Sequence, residues 1–397
     1  MAVVEARPAL HLPVSGKGRL VVVWGTRPDA LKLGPCVAEL RRLGAPLSLI
    51  CTGQHTTLLD GCPAVNDLTG GLSLGLVGHP DPLVYVNRAT AALQDALEGV
   101  LGEAGPISAV VVQGDTGTAL AGARAAKALN LPIAHVEAGL RSGSLDDPWP
   151  EEGFRREITT LADWHYAPTE HARQNLWREG VDDEDIRVTG NSVVSALQRY
   201  ATTEHVPNPK PQILISLHRR EFLAKGHFHI LSTLDALFEV AAQNSHIQFI
   251  WLIHPSLRLA VGEFPGTEWP CPGNVTLSAP VGYAAGVELL RTSLGLITDS
   301  GGLTEEAATL GVPCVMLRHH TDRPEAFLAG VAQSSTPDPL GMTDAVSLIL
   351  SRNDLPTRPT YRHWPPVQGL PKNREPSSCF GTPDAASKIA RHLSSLT

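Results

Sequence analysis

Short apolar runs rich in Val, Ile and Leu recur along this chain with helical patterning between them. That alternation admits little besides parallel sheets built from strand–helix–strand units. Two such series are present. The first starts at Leu20–Val23 and includes Leu47–Ile50, Ala109–Val112 and Ile133–Val136. The second starts at Ile213–Ile215 and continues through Phe249–Ile253, Leu294–Ile297 and Cys314–Leu317. A chain of 397 residues, 43% of them apolar, suits two packed cores. VTGN (Val188–Asn191), followed by the Pro-rich stretch Val206–Pro211, marks the crossing between them. A second Pro-rich region, Pro356–Pro383, precedes a last helix from about Asp384 to Leu396. Residues 1–18 carry Glu5, Arg7, Pro8 and Pro13 without a continuous apolar region, which reads as a loose extension and not a signal peptide.

In an open parallel sheet, ligands bind beyond the carboxyl ends of the strands. Asp115 follows the run Ala109–Val112 through Gln113 and Gly114, and Glu137 follows Ile133–Val136. A third acid comes from PWPEEGFR (Pro148–Arg155), where Pro150 suits the first position of a helix and Glu151 and Glu152 suit its positive end. Arg155 then returns to the face of Glu151 four residues later. Alone, this is also the pattern of ordinary helix capping. In the second series, the strand Leu294–Thr298 meets a tight turn, Asp299-Ser300-Gly301-Gly302, and a helix over Leu303–Leu310. Bare N–H groups and a hydroxyl at a helix start make an anion site, although a glycine turn also serves close strand–helix packing. Arg27 follows the first strand and Lys32 lies five residues on, a fork and a point charge suited to phosphate.

Nine segments, in order, carry a resemblance: GTRPDALK (Gly25–Lys32), TGQH (Thr52–His55), QGDT (Gln113–Thr116), HVEAGLRSG (His135–Gly143), PWPEE (Pro148–Glu152), VTGN, HRRE (His218–Glu221), TDSGGLTEEAATLGVP (Thr298–Pro313) and RPEA (Arg323–Ala326). Together they resemble the non-hydrolysing UDP-N-acetylglucosamine 2-epimerases over most of the chain. The resemblance implies an α/β protein with two Rossmann-like domains facing across a cleft, the GT-B arrangement, and a C-terminal helix that returns to the first domain. The limits it suggests are 19–189 with 380–397 for the first domain and 190–379 for the UDP-binding second.

The resemblance further implies interconversion of UDP-GlcNAc and UDP-ManNAc by loss and re-addition of UDP through a 2-acetamidoglucal. The C-2 proton of the sugar is not next to a carbonyl, so its removal needs cleavage of the anomeric bond, one base, one acid and phosphate stabilisation. Asp115, Glu137 and Glu151 are the acid/base candidates, and the spacing leaves open which serves which face. His218 joins them as a phosphate or leaving-group contact. Arg27, Lys32, Arg155, Ser300, Gly301, Gly302, Glu306, Arg318 and Arg323 are the implied substrate and UDP contacts, with Glu306 on the ribose. Gln54, His55, Glu152, Arg219 and His254 are candidates for an activating second UDP-GlcNAc site. A homodimer is implied.

This chain departs from the family at Thr56 and Thr57 after TGQH, at Gly286 where an aromatic often stacks on uracil, at Phe154 for an asparagine and at Gly117 for a threonine. Tyr283 is the alternative uracil contact. Three other readings stand beside the epimerase: a hydrolysing 2-epimerase releasing ManNAc, a GT-B glycosyltransferase, and a nucleotide-sugar binding protein without turnover. No redox cofactor is implied, because GTRP after the first strand lacks GxGxxG. The pairs His227/His229, His319/His320 and Asp146/Asp147 belong to no metal-ligand spacing. A net charge of −8 without a basic stripe makes nucleic acid a poor partner. No segment reads as a membrane span. Six scattered cysteines without CxxC suit reduced thiols in a cytoplasm, with Cys36, Cys51 and Cys314 in apolar surroundings.

Overall fold

The two series of apolar runs become two parallel sheets. A computed structural model describes residues 18–55, 59–201, 211–261, 271–353 and 378–397. Thr56, Thr57, residues 1–17, residues 206–210 of the first Pro-rich stretch and 356–377 of the second lie outside these.

In the first domain, strands β1 (Arg19–Trp24), β2 (Leu47–Cys51), β3 (Leu72–Ser73), β4 (Ile107–Gln113), β5 (Ile133–Val136), β6 (Trp164–Ala167) and β7 (Ile186–Val188) pair in the order β3-β2-β1-β4-β5-β6-β7. Its helices are α1 (Arg27–Arg42), α2 (Pro82–Ala104), α3 (Gly117–Ala128), α4 (Glu151–Leu161) and α5 (Glu170–Arg178), and α6 (Ser192–Tyr200) follows at the crossing. Strand alternation sends successive residues to opposite faces. Leu20, Val22 and Trp24 pack with Leu33, Val37 and Leu40 of α1, while Val21 and Val23 pack with Leu93 of α2 and Leu120 of α3.

The second domain orders its strands β10-β9-β8-β11-β12-β13, comprising β8 (Gln212–Ser216), β9 (Gln248–Leu252), β10 (Val275–Ser278), β11 (Gly295–Thr298), β12 (Cys314–Leu317) and β13 (Ala332–Ser335). Helices α7 (Arg220–Leu223), α8 (His227–Gln243), α9 (Pro255–Val261), α10 (Tyr283–Thr292), α11 (Gly301–Leu310), α12 (Pro324–Leu328) and α13 (Pro339–Asn353) join them. The last helix, α14 (Ala385–Ser395), buries Ala386, Ile389, Ala390 and Leu393 in the core around α1.

The helix directly after VTGN links the two cores. Leu197 of α6 packs with the first, Val193 and Val194 with the second, and the Asn191 N–H donates to the Phe380 carbonyl at 2.8 Å. Each sheet reverses its strand order once, between β1 and β4 and between β8 and β11, and both reversals open toward the same cleft. Five strands, β3, β6, β7, β10 and β13, did not stand out as apolar runs. They are two to four residues long, carry polar side chains, and lie at or beside sheet edges, where less of each residue needs to be apolar. Cys36 and Cys314 are buried as expected, whereas Cys51 is half-buried. Among the described residues no helix is long and apolar enough to cross a membrane.

Candidate active site

The loop after β1 opens α1 with a capping box. Thr26 Oγ1 accepts from the Asp29 N–H at 3.3 Å, and Asp29 Oδ2 accepts from the Thr26 N–H at 3.0 Å. Asp29 also takes the Thr116 hydroxyl at 3.2 Å, which ties the Arg27 loop to the Asp115 loop. Burial pushes the Asp29 carboxyl up to about 7 despite these donors. Arg27 is half-buried at the cleft, and among the described residues its side chain makes no ion pair.

Glu137, at the end of β5, has φ +64°, a region that residues with a side chain rarely enter, and its carboxylate is held from several sides. Oε1 pairs with the Lys32 ammonium and accepts from Asn191 Nδ2 at 2.9 Å, and Oε2 accepts from Gln113 Nε2 at 2.5 Å. Gly114 passes so close that a Cβ there would lie 3.2 Å from Oε2. Burial raises the Glu137 carboxyl, but Lys32 and Arg323 outweigh it and hold the group below the ordinary value. Lys32, expected on phosphate, also lies 3.1 Å from Glu305 Oε2, so its charge is divided between two buried carboxylates.

Pro150 caps α4 instead of occupying its first turn, and the two glutamates after it part company. Glu151 faces the cleft; its Oε1 accepts from Arg219 Nη1 at 3.1 Å, and its Oε2 is buried without a hydrogen-bond partner. Glu152 is fully buried, accepting from the Ser142 N–H at 3.0 Å and Arg156 Nε at 3.1 Å. It therefore braces the loop after β5. Arg155 does not pair with Glu151. It turns to Asp115, donating from Nε at 2.8 Å and from Nη2, and Nη2 also pairs with Asp322. A buried guanidinium needs all its donors met, and these two acids, with Glu152 Oε2 at 3.4 Å from Nη1, meet more of them than Glu151 alone would. Burial acts to raise Asp115, but Arg155 and Arg323 hold its carboxyl below the usual carboxylate range.

In the second domain Asp299 accepts from the backbone N–H groups of both His218 and Arg219 at 2.8 Å, bracing the HRRE loop against the end of β11. Ser300 caps α11, its Oγ accepting from the Leu303 N–H at 3.4 Å. A Cβ on Gly301 would come within 2.8 Å of the Arg323 guanidinium, which is anchored on Glu305 Oε1 at 2.9 Å and on Asp322. Burial pushes the Glu306 carboxyl up to about 7. His218 and His254 stack with ring centroids 4.9 Å apart. Burial, with Arg219 and Arg318 nearby, brings His218 down to about 3; burial and His218 bring His254 to about 4. Burial and His254 likewise hold His55 at about 4, and its Nδ1 accepts the Arg27 N–H at 3.2 Å. All three rings are neutral at pH 7.

These walls enclose a cleft of about 650 Å³. It brings together Asp115, Glu137, Glu151, His218, Arg27, Lys32, Ser300, Gly302, Glu306 and Arg323, with Gln54, His55, Arg219 and His254. Tyr283, Gly286, Phe154 and Gly117 line it too. Arg155, Arg318, Glu152 and Gly301 stand behind this surface; Arg318 Nη2 donates to Asp147 Oδ1 at 3.1 Å. Gln54 keeps its amide oxygen on the Thr118 N–H and hydroxyl, at 3.1 and 2.8 Å. The sequence pattern assigned nothing to Asn191, Asp299, Glu305 or Asp322. Asn191, Asp299 and Glu305 stand inside quoted motifs and Asp322 directly precedes one, but spacing along the chain carries no sign of their partners. Among the described residues no His, Cys, Asp and Glu group is arranged for a metal ion.

The UDP-N-acetylglucosamine 2-epimerase family profile matches residues 39–394. The UDP-N-acetylglucosamine 2-epimerase of Salmonella typhimurium is 36% identical over 333 residues, 79% of this chain and 86% of that protein. The crystal structure of UDP-GlcNAc 2-epimerase from Neisseria meningitidis bound to UDP-GlcNAc superposes with a TM-score of 0.79 at 28% identity, covering 94% of this chain and 99% of that one. The Methanocaldococcus jannaschii UDP-GlcNAc 2-epimerase in complex with UDP-GlcNAc and UDP gives 0.77 at 27% identity, with coverage of 95% and 99%. With two parallel-sheet domains in the GT-B-like arrangement of those structures, this chain belongs to the UDP-N-acetylglucosamine 2-epimerase family.

Proposed function

We propose that the protein interconverts UDP-GlcNAc and UDP-ManNAc without net hydrolysis. The observation that supports this most is the shared cleft: Asp115 and Glu151, each with an oxygen unengaged among the described residues, stand in the same cavity as Arg27, which makes no ion pair among those residues, and the start of α11. In this reading the first domain, 19–189 with 380–397, supplies the acids, and the second, 190–379, holds the nucleotide.

The anomeric C–O bond breaks with its electron pair leaving on UDP, the C-2 proton passes to one carboxylate, and a C-1=C-2 double bond forms. The second acid protonates C-2 from the opposite face, and a phosphate oxygen of UDP re-forms the bond to C-1. We assign proton transfer to Asp115 and Glu151. Glu137 has both oxygens engaged and an ammonium against it, so it holds Lys32, Gln113 and Asn191 in place and is a poor acceptor for a further proton. Arg27, Ser300 and Gly302 take the diphosphate, the helix start and the guanidinium offsetting the charge that develops on the leaving group. Neutral His218 stands beside the leaving oxygen, and Glu306 receives the ribose hydroxyls. Free thiols at all six cysteines suit a reducing cytoplasm. A homodimer is the assembly the resemblance implies.

The test is turnover of UDP-GlcNAc in heavy water followed by NMR. UDP-ManNAc and recovered UDP-GlcNAc carrying deuterium at C-2 are expected, with the bridging oxygen scrambling into non-bridging phosphate positions. Epimer formed with the original hydrogen retained at C-2 would contradict the elimination. Deuterated free sugar beside UDP would make the enzyme hydrolysing, and neither epimer nor exchange would leave a binding protein.

A further inference from the structure

The arginine that grips Asp115 is itself held from the other domain. Arg155 Nη2 donates both to Asp115 Oδ2 and to Asp322 Oδ2, while Nε adds a second bond to Asp115 Oδ2 at 2.8 Å. Asp322, between β12 and α12, is 1% exposed. Its Oδ2 also takes Arg323 Nη1, and its Oδ1 is buried without a hydrogen bond, 3.9 Å from Arg318 Nη1. On the other side, Asp115 Oδ1 accepts no hydrogen bond among the described residues, and the Asp115 side chain is 24% exposed at the cleft wall.

A guanidinium facing one carboxylate prefers a fork, with two parallel bonds to the two oxygens. Without Asp322, Arg155 would keep Glu152 Oε2 at 3.4 Å from Nη1, and its Nε and Nη2 would turn into that fork and occupy Oδ1, the oxygen left open to the cleft. Asp322 prevents the turn by taking one of the two terminal N–H bonds. The two aspartates belong to different domains, so the side-on arrangement spans the cleft.

We infer that Asp322 is a positioning residue for Asp115: reaching across the cleft, it divides Arg155 Nη2 between two carboxylates and leaves Asp115 Oδ1 free to act on the sugar. The inference rests on the 2-epimerase reading for its chemistry, but not for its geometry. The charges facing Asp115 are Arg155 from α4, Arg323 and Arg219 from the second domain, and the opposing carboxylates of Asp322 and Glu137. Burial raises the Asp115 carboxyl, Arg155 and Arg323 lower it, and Asp322 works against that lowering. Removing the Asp322 charge therefore leaves Asp115 more tightly paired and a weaker base.

Asp322→Asn and Asp322→Glu in the full chain test this. Asp322→Asn is expected to lower kcat about 100-fold. Its KM for UDP-GlcNAc and its UDP affinity should stay within about threefold, because the ground-state contacts lie elsewhere. A C-2-deuterated substrate should show a larger isotope effect in this variant, and Asp322→Glu should recover turnover. Equal losses in kcat and UDP affinity, or normal kcat, would overturn the positioning role. A second readout is independent of turnover: carboxyl-13C NMR of aspartate-labelled, UDP-saturated protein, with the Asp115 signal assigned by its loss in Asp115→Asn. That signal should titrate at lower pH in Asp322→Asn than in the native chain and return in Asp322→Glu. Identical titration in all three sinks the inference even if every sugar turns over. A shifted titration in a protein that turns over no UDP-sugar supports the Asp322–Asp115 link and removes the epimerase reading instead.

Discussion

Arg219 of the second domain donates to Glu151 Oε1 of the first at 3.1 Å, while Oε2 of the same carboxylate is buried with no partner. One oxygen anchors the group and the other is left for a proton. Glu151→Gln keeps the shape and the contact to Arg219 but cannot transfer a proton. Steady-state kinetics should show kcat reduced by a factor of about 100 to 10,000, as for loss of a general acid or base. UDP affinity by calorimetry should change little, and near-normal turnover would remove Glu151 from the proton path.

Arg27→Ala should act in the opposite sense. A half-buried guanidinium at the mouth of an anion site, with no ion pair among the described residues, serves binding, and a charge-assisted bond of roughly 1.5–3 kcal/mol corresponds to about 10- to 100-fold in UDP affinity. Ser300→Ala should also weaken UDP binding and cost about 1 kcal/mol of stability through loss of the α11 cap. Unchanged UDP affinity in both variants would move the diphosphate elsewhere.

Gly301→Ala tests the packing under the anion turn. The new Cβ would meet an Arg323 guanidinium that cannot swing away without leaving Glu305 and Asp322, which are buried and charged. A stability loss of about 1–3 kcal/mol is expected in chemical denaturation, accompanied by reduced turnover. A variant as stable and active as the native chain would show that Arg323 is free to move.

The Glu306 carboxyl, pushed up by burial to about 7 from an ordinary 4.5, gives UDP binding a pH dependence with a definite sign. Ribose hydroxyls donate to the ionised form, so the free protein must release a proton on binding below about pH 7. UDP affinity should therefore rise as pH increases through 7, and Glu306→Gln should flatten that component. The same shift means that Glu306 contributes stability fully present below 4.5 and lost as pH rises through about 7. A pH dependence of UDP affinity that is identical in the variant would exclude Glu306 from the ribose contact.

How much of this was legible beforehand follows from the range of the forces involved. Strand runs such as Cys314–Leu317 and Ile133–Val136 were visible because burial on both faces demands continuous apolar sequence, and the acids at their carboxyl ends were visible because sheet topology places loops there. The anion turn at Ser300–Gly302 was visible because helix starts carry local chemistry. Edge strands such as Ala332–Ser335 were not, since half their surroundings are polar.

By itself, then, the sequence determined two parallel-sheet domains, the family, and the set of side chains that meet at the cleft. Tertiary structure alone decided how those charges are divided. Glu137 is saturated by Lys32, Gln113 and Asn191, Glu151 keeps one oxygen free, and Arg155 leaves its helix neighbour Glu151 for Asp115 and for Asp322, a residue 167 positions along the chain. Local propensity and periodicity act over a few residues, whereas a buried charge pairs with whichever opposite charge the closed fold brings within reach, and that distance is set by the packing of two whole domains.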